Sequence, residues 1–426
     1  MRRFALEGLK SVLDHALNRM GAGLERDLMK QASAFVTFSL FTVLAGVTYA
    51  QPPAPELRPA EQGAVVLSWN QAQKVYGFGH MDKIFTSRTV HRGGRVRTLP
   101  SGAPMFFTIP VDGKALGIDA FMRTEHVAGL LVIQNGHVRL ERYGKGFGKD
   151  WGPHGRWTSF SVAKSITSTL AGAALADGYI TALDDPVTRY IPGLTGSAYD
   201  GVSVRQLMTM TSGVKWNEDY ADPQSDVARL FNTPAEPGAD LTVSYMRTLP
   251  REAAPGSKWV YKTGETELLG VLVAQATHKS LAEYLSEKIW KPWGMEADAL
   301  WEIDSHGQEA GGCCLSMRLR DYGRFGLFVL ADGRIGEKPV VPQGWFKAAT
   351  QKQVDIGDPD TGYGYQWWTQ ADGSFDGLGI FGQMLHIDPR HKLIIVTLSA
   401  SDSAVSTHWS KARRALTAAV IQALGD

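Results

Sequence analysis

Apolar and polar positions trace strands at the two ends of this chain and helices in its middle. Residues 127–134 and 137–143 are strand-like runs on either side of Asn135-Gly136, a dipeptide that favours a tight hairpin turn. The apolar stretch opening at Ser161 has helical spacing and stops at Asp177-Gly178, where glycine suits the position just past a helix. From about 180 to 310 alternation fades, and helix-like runs such as 204–210 and 268–285 replace it. Alternation returns at 363–368, then at 380–387 and 393–398 joined by the turn Asp388-Pro389-Arg390-His391; helical spacing closes the chain over 405–424. This order predicts an α+β fold, an α/β sandwich. One antiparallel sheet is formed by the N- and C-terminal parts and flanked by helices, with an all-α subdomain inserted at about 180–310.

The first 115 residues follow no such pattern. Residues 32–48 are an uncharged apolar run after Lys30, and Val47-Thr48-Tyr49-Ala50 places small residues at −3 and −1 before Gln51. That pattern predicts a signal peptide starting at Met29, cleaved after Ala50, and so a periplasmic or secreted protein. An uncleaved N-terminal anchor is the alternative; its length is marginal for a membrane span. Residues 1–28 are mixed in charge and read as leader. Residues 51–60 read as a Pro-rich linker, 61–115 as an irregular N-terminal extension, and 116–426 as the main domain.

Composition narrows the function classes. The 426 residues are 44% hydrophobic and 20% charged, with a net charge of +1, so nothing points to nucleic acid or an acidic membrane as a partner. The eleven histidines show no H-E-x-x-H pattern or Cys/His cluster, which argues against a zinc hydrolase. No G-x-S-x-G elbow is present, which argues against an α/β-hydrolase. No cofactor is implied. The only two cysteines, Cys313 and Cys314, are adjacent. Neighbouring Cα atoms lie about 3.8 Å apart, closer than the ~4.4–6.8 Å usual for a bridge. Both are expected to be small packed residues, with a strained vicinal bridge or a reactive thiol as the alternative.

Candidate chemistry begins at Ser161-Val162-Ala163-Lys164. Positions i and i+3 share a helix face, so the Lys164 amine can reach the Ser161 hydroxyl and activate it as a nucleophile. The helix N-terminus favours the alkoxide. Further on come Tyr261-Lys262-Thr263-Gly264, Leu183-Asp184-Asp185-Pro186-Val187, Tyr190-Ile191-Pro192, the run 204–213, Pro292-Trp293-Gly294-Met295 and the run 320–326. In their order along the chain these segments resemble the serine β-lactamase and penicillin-binding-protein superfamily, in its class C-like esterase branch. The resemblance implies an acyl-enzyme on Ser161, with Lys164 and Tyr261 as proton shuttle. An unperturbed phenol titrates near pH ~10, so a lysine cation beside Tyr261 is expected to make it useful at neutral pH.

The same resemblance assigns the oxyanion hole to the backbone N–H groups of Ser161 and Ile380. Substrate contacts fall to Thr263, Gly379, Ser316 and Tyr220. The segment 213–226 is similar to the mobile loop of 6-aminohexanoate-oligomer hydrolases, amidases with esterase activity, where Tyr220 would bind the leaving amine. Its acidic residues Glu218, Asp219, Asp222 and Asp226 read as a solvated loop. The strand 377–383 lacks the lysine-threonine-glycine signature of true β-lactamases, and with it the usual partner of a β-lactam carboxylate. Ser316 stands where relatives usually carry asparagine. The expected function is a serine hydrolase of small amides or esters. The alternatives are a DD-peptidase or weak penicillin-binding protein, a β-lactamase, and a non-catalytic cell-wall binding protein that keeps the fold.

Overall fold

The Asn135-Gly136 turn joins two antiparallel strands, Val127–Gln134 and His137–Tyr143, and both turn residues take positive φ, 51° and 78°. They form one edge of the main sheet in a computed structural model that describes residues 66–235 and 240–425. The expected leader and Pro-rich linker lie outside the described residues. From the opposite edge the sheet runs Thr361–Tyr363, Trp368–Gln370, Phe375–Gly379, Gln383–Asp388, Leu393–Ser399, then Val127–Gln134 and His137–Tyr143. Every neighbouring pair is antiparallel.

The adjacent strands Leu393–Ser399 and Val127–Gln134 read as largely continuous apolar runs because both their faces are buried. Leu131, Ile133, Ile394 and Val396 pack with Ile166 and Leu170 of the helix Val162–Ala176. Their alternates Leu130, Val132, Leu393 and Ile395 pack with Phe121, Leu416 and Val420, so the C-terminal helix Thr407–Leu424 covers the other face. A slip of one residue in register would exchange these two cores.

A second sheet positions the site. Its order is Ser87–Val90, Ala299–Glu302, Leu315–Arg318, Arg156–Thr158, all antiparallel. The stretch read as an irregular extension therefore carries regular structure: it supplies an edge strand here, the helix Gln71–Gly77 and the hairpin Thr108–Gly117. The helix-rich middle holds, except that Ala299–Glu302 is a strand of this sheet. The run 268–285 divides into Thr263–Thr277 and Leu281–Leu285. His278 at φ 55° ends the first helix, and the Ser280 hydroxyl caps the second by accepting from the Glu283 N–H. Among the described residues no helix is long and apolar enough to cross a membrane.

Candidate active site

The turn before Ser161 is held under backbone constraint. Phe160 sits at φ 42°, a region a bulky residue seldom occupies. Ser161 then caps the helix Val162–Ala176, whose first turn closes with i+3 bonds: Val162, Ala163 and Lys164 donate to the carbonyls of Ser159, Phe160 and Ser161. That helix is buried from Val162 to Ala174, so its hydroxyls need partners. Ser165, Thr167 and Ser168 donate to the carbonyls of Gln366, Gly311 and Tyr365. These bonds lock the helix rotationally and fix where Ser161 and Lys164 point.

Lys164 is 1% exposed. Its Nζ donates to Ser161 Oγ at 3.2 Å, Thr263 Oγ1 at 3.1 Å and the Gly312 carbonyl at 2.7 Å. Burial lowers its pKa to about 8, against the opposing pull of Glu218 and Glu267. A neutral amine close to the serine hydroxyl is therefore accessible near physiological pH.

Tyr261 adjoins both the serine and the lysine. Its ring stacks on Trp368 with centroids 5.5 Å apart and meets Tyr363 edge-on at 6.1 Å, and Lys164 Nζ stands 5.4 Å from its ring centroid. The expected cationic activation of this phenol is not what the site provides. Burial and the Glu218 carboxylate push its pKa up, and the interaction with Ser161 offsets only part of that. Tyr261 is therefore a neutral hydroxyl at physiological pH.

Ser161, Thr263, Tyr220 and Ile380 line one cavity of about 540 Å³, within the range that holds a small organic ligand. Tyr220 is half-buried, and its hydroxyl donates to Glu218 at 2.7 Å. Two residues expected to contact substrate are not among those that line this cavity. Ser316 is buried in the smaller sheet opposite Thr158 and Leu300. Gly379 packs on the nucleophile's turn, where an added Cβ would come within 2.6 Å of the Ser159 carbonyl. That contact by itself accounts for its lack of a side chain.

Three features differ from the sequence expectation or were absent from it, and for the cysteines it is the alternative, a vicinal bridge, that holds. Glu218 does not belong to a solvated loop: it accepts from the Thr263 N–H at 2.9 Å and from the side chains of Thr263, Tyr220 and Trp216. Glu267, buried on the helix Thr263–Thr277, accepts from the Gly312 N–H at 2.9 Å, and burial raises its pKa. Its signal was available, since Glu267 falls four residues after Thr263 and so on the same helix face. Cys313 and Cys314 are joined in a vicinal disulfide that lines the cavity. The spacing rule describes bridges between separate segments, and here the backbone accommodates adjacent partners by taking Cys314 to φ 70°. Among the described residues no group of metal-ligating side chains is assembled.

This arrangement has relatives. Residues 118–419 match the Beta-lactamase family. The chain is 32% identical over 300 residues to 6-aminohexanoate-dimer hydrolase of Paenarthrobacter ureafaciens, covering 66% of this chain and 74% of that protein. It is 28% identical over 184 residues to a Pseudomonas fluorescens beta-lactamase, covering 42% and 48%. Among solved structures, a Bacillus anthracis protein described as a candidate 6-aminohexanoate-dimer hydrolase superposes with a TM-score of 0.72 at 24% identity, covering 85% of this chain and 97% of that one. A class C beta-lactamase superposes at 0.54 with 18% identity, covering 71% and 95%; these two likenesses concern the fold alone. With a serine and a buried lysine in contact inside a matching α+β fold, the chain belongs to the beta-lactamase family and is a serine hydrolase.

Proposed function

We propose that the protein hydrolyses small amides or esters through an acyl-enzyme on Ser161. Lys164 as free amine takes the hydroxyl proton while Oγ bonds to the substrate carbonyl carbon, and the carbonyl electron pair moves onto oxygen. Ser161 and Ile380 backbone N–H groups receive that oxyanion. The tetrahedral intermediate collapses by expelling the amine or alcohol, which takes a proton relayed through Tyr261 and Lys164. Water then repeats the sequence in place of the serine and releases the acid. The observation that carries this reading is the 3.2 Å contact between Lys164 Nζ and Ser161 Oγ in a buried setting.

The lining of the cavity supports an uncharged or cationic substrate over one bearing a carboxylate. Glu267, Glu302, Asp304 and Glu309 line it, and no Lys, Arg or His does among the described residues. Burial pushes the Glu302 and Glu267 carboxyls up and Arg88 pairs with Glu309, so the lining repels little but offers the carboxylate of a β-lactam or a D-alanyl peptide no cationic partner. The Tyr220 side chain is available to a leaving amine at the same wall. The leader expected over residues 29–50 supports action in the periplasm or outside the cell.

The test is hydrolysis of p-nitrophenyl acetate or butyrate by the purified protein and by Ser161→Ala, which is expected to lose at least ~10³-fold in rate. Undiminished turnover in that variant rejects the assignment. Linear amide oligomers, D-amino-acid peptides and nitrocefin in the same assay rank the substrate classes.

A further inference from the structure

The group most tightly built into the surroundings of Lys164, apart from those already given a role, is the Glu267 carboxyl. It is 3% exposed on a helix whose residues from Thr263 to Val273 are all buried. Its Oε1 accepts the N–H of Gly312 at 2.9 Å, and the carbonyl of the same glycine accepts from Lys164 Nζ at 2.7 Å. The preceding carbonyl, of Gly311, accepts from Thr167 at 2.6 Å. No side chain fits between these partners. A Cβ on Gly312 would come 2.7 Å from Glu267 Oε1 and 3.0 Å from Lys164 Nζ, and one on Gly311 would come 2.7 Å from the Thr266 carbonyl. The two glycines are clamped between the Lys164 helix and the Glu267 helix.

A lysine that is to remove the serine proton must aim its lone pair at Ser161. Its other two hydrogens then need acceptors in fixed places, and these are Thr263 Oγ1 and Gly312 O. Thr263 is held in turn by Glu218. Gly312 is held by Glu267.

We propose that Glu267 is a positioning residue for Lys164: it fixes the Gly312 carbonyl that orients the amine, and its negative charge sets how much of the lysine is ammonium at a given pH. The proposal rests on the acyl-enzyme reading above. The charges facing Lys164 are Glu218, beyond Thr263, and Glu267, beyond Gly312, while Tyr261 beside it is neutral. Facing Glu267 are Lys164 and, from the opposite wall, Asp304. Glu265 on the same helix is engaged with Lys262 and Ser212 instead.

The experiment compares pH–rate profiles of the parent with Glu267→Gln, Glu267→Asp and Glu267→Ala, alongside Ser161 labelling by a fluorophosphonate. Gln keeps the acceptor for Gly312 and removes the charge, so its ascending limb is expected to move to lower pH by roughly half a pH unit or more. Ala removes both and is expected to lose kcat by about 10–100-fold with KM within about threefold; Asp should recover part of that loss. A Gln profile that superimposes on the parent's, with kcat undiminished in Ala, overturns the proposal. If Ala does not fold, the isosteric Gln variant decides alone. Failure of the underlying reading is visible separately, as a fully active Ser161→Ala or a parent enzyme whose Ser161 resists labelling.

Discussion

Lys164 and Glu218 share one hydroxyl, that of Thr263. The Thr263 oxygen accepts from the lysine at 3.1 Å while its hydrogen goes to the carboxylate. A single small side chain thus fixes the direction of one amine hydrogen and joins the Tyr220 loop to the base, because Tyr220 donates to the same Glu218.

Thr263→Val keeps the shape and removes this junction. The amine then loses one of its two orienting acceptors, and Glu218 loses a donor. We expect kcat to fall by about 10–100-fold, the range for a hydrogen bond to a charged group, while Thr263→Ser restores most of it. Steady-state kinetics of both variants on one ester substrate check this. A Val variant with parental kcat would mean that the lysine is aimed by Gly312 alone.

The pH dependence follows from which group must be neutral. Burial places Lys164 near 8, so the amine fraction and the rate rise as pH increases through about 8 and plateau above it. Tyr261 has its pKa moved upward, so it remains a protonated hydroxyl across this window and contributes no limb of its own below pH ~10. Lys164→Arg keeps a cation but cannot accept a proton; it is expected to lose at least ~10³-fold at every pH and to show no limb near 8. A parental profile already flat from pH 6 to 9 contradicts the assignment of Lys164 as base.

How much of this could be read from the chain depended on whether a residue's partners are local. Ser161 and Lys164 are three apart on one helix, and the strands within 127–143 and 383–399 carry their own periodicity, so both were legible; the alternating run 363–368 is instead the connection between two short strands, Thr361–Tyr363 and Trp368–Gln370. Glu218 was misread because an acidic loop looks the same whether it faces water or folds back on Thr263; only the tertiary contact separates the two. Glu267 showed a weaker sign, a carboxylate within a helix otherwise fit for burial. The packing constraint on Gly379 was not legible, since a glycine opposite a ligand and a glycine opposite a neighbouring backbone leave the same mark in sequence.

That packing constraint is itself testable. Gly379 meets the Ser159 carbonyl and the Phe160 Cβ, and an alanine there would place its methyl 2.6 Å from the first and 3.0 Å from the second. Neither neighbour is a flexible side-chain tip, and Phe160 already holds a positive φ. Gly379→Ala is expected to cost about 1–3 kcal/mol of stability and to slow fluorophosphonate labelling of Ser161, because relief of the clash displaces the nucleophile's turn. Thermal unfolding and labelling rate measure the two effects. Unchanged stability, with loss confined to KM, would return Gly379 to a substrate-binding role.

The vicinal disulfide occupies the link between the base's carbonyl anchor and the smaller sheet. Gly312 holds Lys164, Cys313 and Cys314 follow, and Leu315 begins the strand paired across to Arg156–Thr158, which leads into Ser161. The bridged Cys314 sits at φ 70°, a conformation that non-glycine residues seldom take. Once the bond is reduced by a dithiol, which is itself oxidised, Cys314 is free to relax and the Gly312 carbonyl to leave the amine. We expect the reduced enzyme, and a Cys313→Ala/Cys314→Ala variant, to lose kcat by roughly 3–10-fold, about one orienting hydrogen bond's worth, with far-UV circular dichroism unchanged. Mass spectrometry after alkylation verifies that two thiols were freed. Parental kcat in both forms would show that the Gly311-Gly312 clamp needs no help from the bridge, and that the disulfide serves only as cavity wall.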